Sequence, residues 1–179
     1  MSKKLLLMTG LMIIASTWSF SQVPVFVPVQ NISQQNPGWC WAAVSEQIIK
    51  WKKHRSPKQC ELVSEFKKEV NDDCCATPSI CNKPGSLQQV QGLLNQFGIT
   101  YSDMLPLPNA RSLYSILEDN HVVVVFVQSS SVVGHCIVIM GIESGNDWTT
   151  VYVNDPTGTY EQAMPMTKLL SLWSVAIAI

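Results

Sequence analysis

Charge is scarce in this sequence, and what there is nearly cancels. Twelve basic residues stand against 13 acidic ones, and charged side chains make up 14% of 179 residues. That balance offers no electrostatic footprint for nucleic acid or for an anionic membrane surface. Histidine is scarcer still, with three copies, and no two cysteines are spaced Cys-x-x-Cys. A zinc site would have few ligands to draw on, so neither metal nor cofactor is expected. The apolar stretch at residues 5–15 is too short to span a bilayer, and no repeat or low-complexity segment occurs.

That short stretch has another meaning. Lys3 and Lys4 precede it, and Ser19 and Ser21 place small residues just before Gln22. A positive start, an apolar middle and a small-residue end describe a secretory signal over residues 1–21. Its removal leaves residues 22–179, the size of one domain with a real core. Without Lys3 and Lys4 the 12 basic residues become 10 against 13 acidic, a net charge of −3. An exported protein, periplasmic or secreted, monomeric and free of membrane in its mature form, is the expectation.

Export changes the meaning of the cysteines, because disulfides persist outside the cytoplasm. Cys60, Cys74, Cys75 and Cys81 cluster where Asn, Asp, Pro and Lys leave little apolar surface to hold a fold. Of the three possible pairings, the one joining neighbours Cys74 and Cys75 is strained. Cys60 then pairs with one of those two and Cys81 with the other. Cys40 and Cys136 are left as free thiols.

Cys40 lies between Trp39 and Trp41, after the Pro37-Gly38 break and at the start of a helix-forming run. A partly exposed thiol in a first helical turn faces unpaired N–H groups and the positive end of the helix dipole, which favour the thiolate. A small buried apolar residue is the alternative for any free cysteine.

Residues 22–33 alternate valine with proline and read as an extended arm. Val44, Ile48 and Trp51 form one helical face over residues 40–54, and a shorter helix is expected over 61–70. Ser86 and Gln89 make a capping-box pair ahead of Leu87, Val90, Leu93 and Leu94, with Gly98 to end that helix. Asn109 caps a helix running to 119. Then the pattern turns to strands, at 122–127, 136–142, 149–153 and 174–179, with a helical turn at 166–172. Helices followed by antiparallel strands indicate an α+β fold.

A thiolate nucleophile needs a base, and histidine is the usual one. His54 sits in a cationic helix end and His121 in a turn. His135 follows Gly134 and heads the apolar strand Cys136, Ile137, Val138, Ile139, where a polar ring needs a partner. If strands 136–142 and 148–154 form a hairpin, His135 lies opposite Asn154, Asp155 and Pro156. A three-residue loop would put Asp155 on its face, a two- or four-residue loop Asn154. Either could fix the imidazole tautomer.

Gln34, Cys40 six residues on, then Trp41 and Ala42 resemble the active-site segment of papain-like cysteine peptidases. Gly134-His135 ahead of an apolar strand, with Asn154-Asp155-Pro156 about twenty residues later, resembles their short bacterial branch. That branch includes secreted effector proteases of plant pathogens and leader peptidases of bacteriocin exporters. The resemblance covers nearly all of residues 30–179. It implies a nucleophile helix packed on a C-terminal antiparallel sheet, with Cys40 as nucleophile, His135 as base and Gln34 as side-chain donor to the oxyanion. It favours Asp155 over Asn154 as third member, and implies hydrolysis of peptide bonds in a peptide or protein substrate. The cysteine-rich loop at 60–81 is no part of the pattern. Transglutaminases and protein deamidases order Cys, His and Asp in the same way. A binding module without catalysis is the remaining alternative.

Overall fold

The computed structural model describes residues 22–66, 73–129 and 132–179. The segment read as a signal, residues 1–21, and the far end of the second helix, 67–70, lie outside these. Strand β1 (Gln22–Phe26) is followed by helices α1 (Cys40–Lys53), α2 (Gln59–Phe66), α3 (Leu87–Gln96) and α4 (Ala110–Glu118). Strands β2 (Val123–Ser129), β3 (Val132–Ser144), β4 (Thr149–Asn154) and β5 (Ala163–Pro165) come next, then α5 (Met166–Leu172) and β6 (Trp173–Ala178). The architecture is α+β.

Helix α1 is central. Every residue from Cys40 to Ile49 is buried, so this part of the helix is enclosed on all sides and not merely along one face, whereas Trp51 near its end is half-buried. The helix packs on α2, α3 and β3. Its C-terminus carries Lys50, Lys52 and Lys53 against the negative end of the dipole and stops at His54 in the left-handed region. Helices α3 and α4 begin with capping boxes at Ser86–Gln89 and Asn109–Ser112.

The strands form an antiparallel sheet in the order β5-β4-β3-β2-β6. Val123, Val124 and Val125 are wholly buried in β2. Burying each such side chain contributes roughly 1.5–3 kcal/mol. The arm at residues 22–33 is more than an arm, because its start, β1, pairs with β3 at Val25–Ile142 and Phe26–Gly141. Because β4 holds the other edge of β3 there, β1 takes over from β2 along the same edge. Strand β5, three residues long, pairs with β4, and nothing in the sequence pattern announces it.

The β3–β4 hairpin decides which side chain meets His135. Ser144 pairs with Thr149, leaving a four-residue loop at 145–148. Carried down the hairpin unbroken, that register would put Asn154 on the face of His135. It is broken at Met140: Gly141 pairs with Tyr152, but Ile139 pairs with Val153. One extra residue in β3 is a bulge. It flips the parity, and Asp155 arrives on the histidine's face.

Candidate active site

Cys40 is the first residue of α1, and Trp39 before it supplies no side-chain cap. The residue before the helix therefore does not compete for the N–H groups of the first turn. The thiol is more enclosed than the sequence suggests, at 5% exposure, because Trp39 and Trp41 are themselves buried at its sides. It opens into a cavity of about 170 Å³ lined with Pro37, Gly38, Pro84, Gly134, His135, Thr157 and Thr159.

His135 is 6% exposed and reaches this cavity from β3. Its Nε2 lies 2.5 Å from Asp155 Oδ1, and its ring shares the cavity lining with Cys40. Burial disfavours the imidazolium, but the hydrogen bonds with Asp155 and Cys40 and the charges there outweigh it, raising the pKa to about 9. Asp155 is held in turn by the chain that follows it. Residues 155–158 read Asp-Pro-Thr-Gly, and the Gly158 N–H returns to the Asp155 carbonyl at 3.2 Å. Thr157 donates its N–H and its hydroxyl to Asp155 Oδ1 at 2.9 and 2.8 Å, and the Tyr160 N–H donates to Oδ2 at 2.8 Å. Burial alone would raise this carboxyl. The hydrogen bonds from His135, Tyr160 and Thr157 hold it far below the usual carboxylate range.

Thr157 and Tyr160 escape the sequence reading, although Asp-Pro-x-Gly is a turn signature in which the aspartate bonds the N–H two residues on. Asn154 plays a different part. Its amide donates to the Val29 carbonyl at 2.8 Å, buried.

Gln34 is placed beside the cavity and not in its lining. Its N–H donates to the Pro156 carbonyl at 3.0 Å, one residue past Asp155, and its Nε2 donates to the Pro37 carbonyl at 2.8 Å. Its Oε1 is buried with no partner. Amide side chains fix the segment that carries it. Asn31 donates to the Asp155 carbonyl, Gln47 to Ile32 and Gln59 to Ser33. Gln35 is exposed, and its N–H is taken by Gln59.

Disulfides join Cys60 to Cys75 and Cys74 to Cys81, in the pattern expected, and Cys40 and Cys136 are free. His54 and His121 are exposed and lie outside the cavity lining. The arrangement is a thiol, an imidazole held toward the cation and a fixed carboxylate, at the mouth of a helix. It suits attack on an electrophilic carbonyl and proton delivery to a leaving group.

Comparison with curated protein sequences finds no match. Among solved structures, the peptidase domain of Streptococcus ComA, a bifunctional ABC transporter involved in a quorum-sensing pathway, superposes with a TM-score of 0.60. It is 14% identical, over 84% of this chain and 96% of that one, and so establishes the shared papain-like fold. Over residues 20–171 the sequence matches the family described as papain-like cysteine protease AvrRpt2, and with most of its length inside that match the chain belongs to this family of cysteine peptidases.

Proposed function

We propose that the protein is an exported endopeptidase that cleaves peptide bonds through Cys40, His135 and Asp155. The observation that carries this reading is that Cys40 and His135 line one cavity, with His135 Nε2 bonded to the buried Asp155 carboxylate. Cys40, its proton passed to His135, attacks the substrate carbonyl, and negative charge develops on the oxygen. The Cys40 backbone N–H and the Gln34 carboxamide are the donors to that oxygen. His135 then protonates the leaving amine, the acyl-enzyme forms, and water activated by the same imidazole releases the second product. Asp155 holds the ring and balances its cation throughout. Two disulfides in one small chain support export.

The test is incubation of the mature protein with a mixed peptide library, with products read by mass spectrometry. Internal cuts that vanish in Cys40→Ala are expected. A one-dalton gain at Gln or Asn without cleavage, or full activity in Cys40→Ala, overturns the reading.

A further inference from the structure

The three residues around Cys40 are held by a run of three residues in the cysteine-rich loop. The Gly38 N–H donates to Asn82 Oδ1 at 2.7 Å. The Trp39 indole donates to the Cys81 carbonyl at 3.0 Å, and the Trp41 indole to the Lys83 carbonyl at 3.4 Å. The fit is close. A Cβ on Gly38 would lie 2.8 Å from the Lys83 carbonyl carbon, and one on Gly85 would lie 2.3 Å from the Trp41 ring. Pro84, between them, lines the cavity beside Cys40.

Beyond the two disulfides and the backbone bonds of its own turns, few buried side chains anchor this run. Between residues 73 and 85 there is neither helix nor strand, and the buried hydrophobic residues are Cys74 and Cys81 themselves, while Ile80 is 52% exposed. The Cys74–Cys81 bond is the covalent tie on Cys81, and it works with the turn bonds from the Cys81 N–H to Pro78 and the Asn82 N–H to Ser79 to set the acceptors for Trp39 and Gly38. Trp39 brings no cap of its own to α1. The direction of the Cys40 N–H therefore follows from the Gly38–Trp39 backbone, which the loop fixes from outside.

We propose that Asn82, on the loop stapled by Cys74–Cys81, is a positioning residue for Cys40, and that the enzyme is active only while this disulfide is oxidised and Cys40 is reduced. The proposal rests on Cys40 being the nucleophile. A dithiol reverses the state. One of its thiolates attacks a loop sulfur and expels the other cysteine as thiolate. Its second thiolate then attacks the reagent's own sulfur in that mixed disulfide and expels the first cysteine. Two electrons and two protons have passed to Cys74 and Cys81 as the reagent closes to a cyclic disulfide.

The experiment compares Asn82→Ala with Asn82→Asp, whose carboxylate oxygen can accept the same N–H. In Asn82→Ala, kcat should fall about ten- to hundred-fold with KM little changed, as expected for misplacement of a reacting group. Alkylation of Cys40 by iodoacetamide should slow with it, while the near-UV circular dichroism stays as in the wild type. Asn82→Asp should recover most of the loss. Full kcat in Asn82→Ala, or equal loss in both variants, overturns the proposal. Should Asn82→Ala not fold, graded dithiothreitol on the wild-type protein decides, with samples mapped for reduced cysteines. Activity should fall with the reduced fraction of Cys74–Cys81 and return on reoxidation, and full activity after complete reduction of that bond overturns it. An inert Cys40→Ala beside an intact Asn82→Ala refutes the positioning role alone, whereas an active Cys40→Ala refutes the nucleophile.

Discussion

Asn154 and Asp155 are neighbours with opposite duties, and substitution separates them. Asp155→Ala removes the acceptor of His135 Nε2 and should lower kcat by about 10³–10⁴-fold, as loss of the orienting carboxylate does in related triads. Asn154→Ala leaves the Val29 carbonyl without its buried donor. It should cost about 1–3 kcal/mol of stability while most of kcat survives. Steady-state kinetics and urea titration of the two variants check this. His135 also sets a pH signature. Its proton is kept to about pH 9 in the folded chain and released near the ordinary 6.5 in the unfolded one. The imidazolium's contribution to stability is therefore whole below 6.5 and lost as pH rises toward 9. The melting temperature of the wild type, measured against His135→Gln, should show an advantage that shrinks across that interval. The alkaline limb of the activity profile should fall near pH 9.

At the level of elements, most of the fold is legible because it is written in local pattern. The capping boxes at Ser86 and Asn109 and the β2 valines announce themselves from neighbouring residues alone. The pairing of β1 with β3 does not, since its partners lie more than a hundred positions apart and a Val-Pro alternation says only that the chain is extended. The bulge at Met140 is equally silent: residues 136–142 read as one unbroken apolar strand, and nothing in their side chains shows that one of them is unpaired. Cys40, His135 and Asp155 can thus be singled out by chemistry and resemblance, while the geometry that chooses Asp155 over Asn154 cannot. The arm–sheet junction gives a test of how far β1 serves the site. A Cβ on Gly141 would lie 2.5 Å from the Phe26 ring and 3.1 Å from the Val25 carbonyl oxygen. Gly141→Val should therefore push β1 off the sheet and cost about 1–3 kcal/mol. Because the same segment continues to Gln34, kcat should drop with it. Unfolding by urea together with kcat measures both effects, and unchanged stability would mean that β1 contributes nothing to the fold.

For the molecule as a whole, the two disulfides and the core divide the labour unevenly. Helix α1 from Cys40 to Ile49, β2 from Val123 to Val127 and β3 from His135 to Ile139 are buried, and neither disulfide bonds to these elements directly. Cys60–Cys75 ties the cysteine-rich loop to α2 across a separation of 15 residues, and Cys74–Cys81 closes one of 7. Constraint of the unfolded chain by a loop of that larger size contributes about 3 kcal/mol, and the smaller loop somewhat less. Full reduction should accordingly lower the urea midpoint without collapsing the sheet, and amide protons of β2 and β3 should remain the slowest to exchange. Thiol labelling of the native, non-reduced protein completes the picture. Cys40 opens into the cavity beside His135, whereas Cys136 is fully buried, and burial followed by the charge of Cys40 pushes its thiol well above the ordinary range. Iodoacetamide should therefore modify Cys40 under native conditions and reach Cys136 only after denaturation, with Cys60, Cys74, Cys75 and Cys81 protected until a reductant is added. Rapid native labelling of Cys136, or a reduced protein with no exchange-protected sheet, would contradict a core that stands independently of its disulfides.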